Sequence, residues 1–298
     1  MLLGVKNRKM KLKNVFKLTL GLILGLGISN SAVCQETENS LLYKVEGKGI
    51  KTSYLFGTIH VMPNTDFELK EKVEEAFTAS ELVVLEIDMD DPSLPLEMMQ
   101  NSMMIDGSTL DKLFSEEDYK KLDEELLATL GVSVSMFNKM KPFIVSSMLL
   151  SKYVGDQPAS FEGTFVEMAA KQKKEILGLE TVAEQMAVFD KISYKTQADQ
   201  VSEMLNEDEE TKELFKAMVE AYKQEDAEAL YDFLVENHDG TEEELDYMLD
   251  DRNEKWIPKF KELSADKKVF YGVGAGHLGG DKGVLNLLEK AGYTVTPL

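Results

Sequence analysis

Cysteine is nearly absent: Cys34 is the single one in 298 residues. Beyond it the chain has no means of building a disulfide framework or a thiolate-held metal site. Any metal must therefore rest on His, Asp and Glu, and histidine is itself scarce, at three residues. Basic charge is also short, with 33 Lys and Arg against 54 Asp and Glu and a net charge of -21. Nucleic acid and anionic lipid surfaces need clustered cations to displace counterions, so both are excluded as expected partners. Past the first thirty residues no apolar run is long enough to span a bilayer.

What the chain does have begins with an address. Lys6, Arg8, Lys9, Lys11, Lys13 and Lys17 precede or flank an apolar run from Leu18 to Ile28, and Ser31-Ala32-Val33-Cys34 offers small residues before a cut at Gln35. Residues 1–34 read as a secretory signal peptide, so the mature chain is expected to be periplasmic or secreted and to carry no membrane span. A lipid anchor on Cys34 is the alternative address, although Ser31 stands where a lipobox wants Leu, Val or Ile. Removing the leader takes away six cations and no anion, which moves the net charge from -21 to -27. The remainder, 35–298, is expected to be one domain with helical insertions at about 92–155 and 185–262.

Apolar patterning then gives a fold class. Leu41 to Val45 and Thr52 to Phe56, separated by Glu46-Gly47-Lys48-Gly49, read as a β-hairpin. A helix through Phe67, Val73, Ala76 and Phe77 follows, with Asn64 to Asp66 as cap candidates. Leu82-Val83-Val84-Leu85 is the continuous apolar run of a strand covered on both faces, which completes a β-α-β unit. Residues 92 to 155 turn helical and methionine-rich, and the Met98, Met99, Met103 and Met104 cluster reads as core or as a flexible groove for an apolar ligand. Phe161 to Lys174 is a helix, Glu175 to Leu179 a short strand, and Thr181 to Glu184 a capping box. An acidic helical lobe fills 185 to 262, with Arg252, Asn253 and Trp256 near the end of its last helix. A strand at 269–273, a helix and an edge strand, Tyr293 to Thr296, close the chain. The expected class is mixed α/β: a central, mostly parallel sheet flanked by helices, with a large helical lobe.

Two of the three histidines end strands in the same way, as Gly57-Thr58-Ile59-His60 and Gly274-Ala275-Gly276-His277. Two other strands end in Glu86 and Glu180. In open α/β sheets the ligand crevice lies outside the carboxyl ends of the strands, so parallel strands would gather all four side chains at one edge. Two imidazoles with one or two carboxylates suit a divalent ion such as zinc, manganese, cobalt or iron, with an open position for an activated water. Taken singly, a histidine after a strand is more often a hydrogen-bonded turn residue; the repetition points to a shared site. His60, Glu86 and His277 are the expected ligands, Glu180 a general base, and Arg252, followed by Asn253, a planar donor for a developing oxyanion. The plainer reading makes Arg252 and Asn253 a helix-surface pair. His238 reads as structural or solvated.

These motifs also resemble the TraB/PrgY/GumN family, through Phe56-Gly57-Thr58-Ile59-His60, Leu85-Glu86-Ile87-Asp88, Gly178-Leu179-Glu180-Thr181, Arg252-Asn253 with Trp256, and Gly274-Ala275-Gly276-His277-Leu278. The resemblance covers essentially the whole chain after the leader. It implies a fold related to Tiki proteases and more remotely to erythromycin-esterase-like and haem-binding ChaN-like proteins. For the Tiki branch it implies metalloprotease activity supported by manganese or cobalt. It also implies an acidic residue in the middle helix, here Glu162 of Glu162-Gly163-Thr164-Phe165 where family members commonly carry Asp, and so a second candidate for the base. The expected function is a metal-dependent, peptidase-like hydrolase acting on a peptide or small molecule. The alternative is an exported module that sequesters a peptide, haem or metal without turnover.

Overall fold

The computed structural model describes residues 39–298 apart from Asp156 and Asp239. The leader reading and Cys34 lie outside the described residues. The described residues include eight strands: β1 Leu42–Glu46, β2 Ser53–Thr58, β3 Met62–Pro63, β4 Leu82–Leu85, β5 Pro158–Ala159, β6 Ile176–Gly178, β7 Val269–Gly274 and β8 Thr294–Pro297. Six form one sheet in the order β6-β4-β7-β2-β1-β8. The four strands expected to run together, β2, β4, β6 and β7, are parallel neighbours in it, and β1 pairs antiparallel with both β2 and β8. The mixed α/β class and the mostly parallel sheet follow as expected.

Burial on both faces explains why the central strands are apolar without alternation. Along β7, Phe270 and Tyr271 point to opposite faces. On the Phe270 face, Phe77 of helix Glu71–Ala79 and Phe165 of helix Phe161–Gln172 close around the ring at 5.2 and 4.9 Å between centroids. On the other face Tyr271 stacks on Phe260 of helix Asp251–Leu263 at 3.9 Å. Each of these fully buried rings contributes roughly 1.5–3 kcal/mol relative to exposure. Polar atoms in this interior are paired: Ser264 Oγ lies 3.0 Å from Ser53 Oγ and 2.8 Å from the Tyr271 hydroxyl, joining the starts of β2 and β7 to the helix end. A second core, with Leu122, Leu126, Val145 and Leu149, holds the helical insertion together.

Several local readings are corrected. Asn64 and Asp66 do not cap a helix: their amides bond to Gln157 and Pro63 carbonyls beside the short β3–β5 ladder, which the sequence reading did not foresee. The helix starts later, after Lys70, with no side-chain cap. The acidic lobe, expected to break near Ser193, Asn206 and Asp239-Gly240, also breaks at Gln224–Asp226, where Glu225 takes φ 55°. Arg252 and Asn253 open the last long helix rather than close it, directly after a π-helical turn at Asp246–Asp250. The methionines divide: Met104 is buried, whereas Met99 is half exposed. No helix among the described residues is long and apolar enough to cross a membrane.

Candidate functional site

Strand order delivers the expected side chains in a row. From the sheet edge inward, β6 leads to Glu180, β4 to Glu86, β7 to Gly274 and His277, and β2 to His60. The ladder continues past the strand ends, with Leu179 N donating to Leu85 O at 2.8 Å and Glu180 N to Glu86 O at 2.9 Å. These bonds fix the two carboxylates side by side. Gly274 lies at the centre. A Cβ built on it would sit 3.2 Å from Glu86 Oε1, 3.5 Å from His60 Nε2 and 3.6 Å from His277 Cδ2. The glycine leaves that point open. A cleft of about 250 Å³ lined by His60, Glu86, Glu162, Gln185, Ile87 and Met89 leads to the site.

His60 is half of a dyad with Glu162. Glu162 stands in the first turn of its helix, where Ser160 caps the Gly163 amide and also donates to Glu162 Oε2 at 3.0 Å. Thr58 donates to Glu162 Oε1 at 2.5 Å and His60 Nδ1 lies 2.8 Å from the same oxygen, so Nδ1 carries the proton and Nε2 is left for the cleft. Desolvation works against the imidazolium, but the Glu162 hydrogen bond and the Glu86 and Glu162 charges outweigh it and raise His60 to about 9. Two-thirds of the ring surface faces solvent, which screens those charges in part; the direction is set by the carboxylates.

His277 is the opposite case. It is buried, its Nδ1 lies 2.7 Å from Asn253 Oδ1, and the Asn253 amide nitrogen donates to Lys282 O at 3.0 Å, which orients Oδ1 toward the ring. Nδ1 is therefore the donor and Nε2 keeps a lone pair. Burial first, and then the Arg252 charge, pull its pKa down to about 3. Trp256 walls the ring, 4.6 Å between centroids. Glu86 is buried too, which alone would raise its pKa. The charges of His277 when protonated, of Arg252 and of His60, and the Gly274 amide at 2.8 Å, hold it down at about 2 instead. Because His277 stays neutral until strongly acid pH, Arg252 and the protonated His60 are the cations that matter for Glu86 near neutrality.

Arg252 ties the row together. Nη2 meets Glu86 Oε2 and Glu180 Oε1, each at 2.5 Å; Nε lies 3.1 Å from Glu180 Oε1; Nη1 donates to Met248 O and to His277 Nε2, each at 3.0 Å. All five guanidinium N–H groups are thus engaged, and the pair with Asn253 is a site element rather than a helix-surface one. Glu180 has its oxygens on Arg252 and on Gln185, whose Nε2 donates to Glu180 Oε1 at 3.1 Å and to Glu86 Oε2 at 3.0 Å. Gln185, Thr58 and Ser160 were missed in the sequence. Thr58 lies inside a singled-out motif and Gln185 one turn into the capping-box helix after Glu180, but nothing local marks either as a partner. His238 stands apart, 3.7 Å from Glu244.

The donor chemistry suits a divalent ion. His60 Nε2, Glu86 Oε1 and His277 Cδ2 lie around an open point, His277 Nε2 is 3.9 Å from Glu86 Oε1, and a guanidinium already stands in as the cation beside them. Among the described residues no three His, Cys, Asp or Glu already stand in metal-holding geometry, and Arg252 lies on Glu86, Glu180 and His277.

A parallel-sheet α/β protein with imidazoles, carboxylates and an arginine gathered at the carboxyl edge is the class that fold and site define. The chain belongs to the TraB/PrgY/gumN family, whose model matches residues 41–297. It is 23% identical to Metalloprotease TIKI2 from Danio rerio over 325 residues, covering 88% of this chain and 62% of that protein. The chain thus spans about three-fifths of the length of that relative. No solved structure matches.

Proposed function

We propose that this chain is an exported hydrolase, peptidase-like in substrate, that cleaves an amide C–N bond held over Gly274. The observation that carries the reading is the open point beside Gly274, bounded by His60 Nε2, Glu86 Oε1 and the His277 ring. The metalloprotease name of the zebrafish relative supports it at the level of class. The ion-free site provides an acid: His60, raised above its ordinary value and aimed by Glu162, is protonated at neutral pH, and an ion taken up at Nε2 would displace that proton. It lacks a free strong base. Glu86 and His277 are held far below neutrality, and the Glu180 oxygens are engaged by Arg252 and Gln185.

A divalent ion such as manganese, cobalt or zinc, held by His60, Glu86 and His277, would supply the missing step by acidifying a water. The chain's own residues do the rest. Asn253 fixes the His277 tautomer so that Nε2 faces the site, Gln185 and the Gly274 amide set the Glu86 carboxylate, and Arg252 supplies positive charge against the developing oxyanion. The test is cleavage of a peptide library by the purified chain, with chelator and with each ion added back. Ion-restored cleavage is the expected result; tight peptide binding without cleavage under every condition would leave a sequestering module instead.

A further inference from the structure

Of the 33 Lys and Arg residues only two are arginine, Arg8 and Arg252, so the chain spends its one arginine beyond the leader segment in this site. Lysine serves everywhere else. A guanidinium differs from an ammonium in its planar fork of five donors, and every one of the five is used here: on Glu86, on Glu180 through Nε and Nη2, on His277 Nε2 and on the Met248 carbonyl. Two of those acceptors, Glu86 and His277 Nε2, are donors that a divalent ion would need. An imidazole lone pair cannot serve an N–H and a metal together, and two cations crowded against one carboxylate repel each other.

We infer that Arg252 is the resident cation of the metal-free site and competes with a divalent ion for Glu86 and His277. The inference rests on the metal half of the reading above. Without a cation between them, the buried Glu86 and Glu180 carboxylates would repel, so Arg252 keeps the empty site folded; to admit the ion it must release His277 Nε2 and Glu86 while Glu180 retains it. Two features suit such a residue. The Glu180 contact uses Nε as well as Nη2, so it survives loss of the other arm. The turn that feeds Arg252, Asp246–Asp250, is a π-helical widening, the kind of local irregularity that absorbs a change of register and recurs at functional sites. Arg252 is then a positioning residue in the empty state and a gate on filling.

Calorimetric titration of the purified chain with manganese or cobalt chloride reads this directly, in wild type, Arg252→Met and Arg252→Lys. Competition is reciprocal, so Arg252→Met should bind the ion roughly tenfold or more tightly than wild type. Methylguanidinium chloride should weaken binding to Arg252→Met and leave wild type unaffected. Should Arg252→Met fail to fold, Arg252→Lys, which keeps the charge but not the fork, is expected to bind more tightly than wild type by a smaller factor. Equal or weaker binding in the folded variants, or no effect of methylguanidinium, overturns the inference while the metal reading stands. Absence of binding in all three proteins overturns both.

Discussion

Replacing Gly274 with alanine separates site from scaffold. The backbone there is φ -52°, ψ 133°, a conformation alanine adopts without strain, so restricting the unfolded chain favours the variant by about 0.4–1 kcal/mol. Against this, the new methyl would lie 3.2 Å from Glu86 Oε1, tighter than ordinary contact, and the carboxylate must give by a few tenths of an ångström. The Gly274 amide bond to Glu86 survives the change. The two effects nearly cancel, so stability should stay within about 1 kcal/mol of wild type, or about 2–4 °C in Tm for a domain of this size. Activity should behave differently, because the methyl fills the point bounded by Glu86, His60 and His277. Displacement of a reacting group by about 1 Å costs on the order of a hundredfold. Initial rates on a library-selected peptide, beside a thermal melt by circular dichroism, are expected to show that loss with the melt unchanged. Full activity would place the chemistry elsewhere; a melt lowered by more than about 10 °C would refute the packing argument.

Other perturbations address other links. Glu162→Gln should lower the His60 pKa read by NMR from near 9, because the strongest favourable partner of the imidazolium is gone while partial desolvation and the Arg252 charge still oppose it. Its stability effect has a sign: the wild-type pair stabilises fully below 6.5 and is lost as pH rises through about 9, and that alkaline loss should disappear in the variant. His277 is depressed, so the unfolded chain binds its proton first, and wild-type stability should fall as pH drops from 6.5 toward 3, by at most ~1.4 kcal/mol per pH unit from this group; His277→Gln should flatten that slope in urea titrations. Gly57→Ala places a methyl 2.6 Å from Leu278 Cδ1 and 3.2 Å from Ala275 Cα, both buried, and should destabilise by about 1–3 kcal/mol in the same assay.

Much of the sheet was legible because buried parallel strands write themselves as unbroken apolar runs. Leu82–Leu85 and Val269–Val273 have no other plausible reading, and each ends in the residue the site uses. Short strands escaped: Met62–Pro63 and Pro158–Ala159 are two residues each, held by one ladder and without periodicity. The candidate residues gathered because strand direction alone places His60, Glu86, Glu180 and His277. Their pairing was not legible. That His60 leans on Glu162, 102 positions away, and that Gln185 bridges Glu86 and Glu180, depends on which helix lands over which strand end. Arg252 carried a signal that the motif reading passed over, its near uniqueness among the cations. Its position at a helix start also inverted the expected placement, since the π-helical turn before it continues the helical pattern without a visible break.

Peptide-library cleavage by wild type, His60→Ala and His277→Ala, each with chelator and with manganese, cobalt or zinc, tests most directly whether the two strand-end histidines form one hydrolytic centre. His60 is largely exposed, so a melt close to wild type is expected for His60→Ala; His277 is buried against Trp256 with both ring nitrogens bonded, so His277→Ala should melt lower, and its cleavage is read well below that melt. The expected result is ion-dependent cleavage by wild type and loss of at least about a hundredfold in each folded variant. Undiminished cleavage by both variants would contradict a shared centre at Gly274.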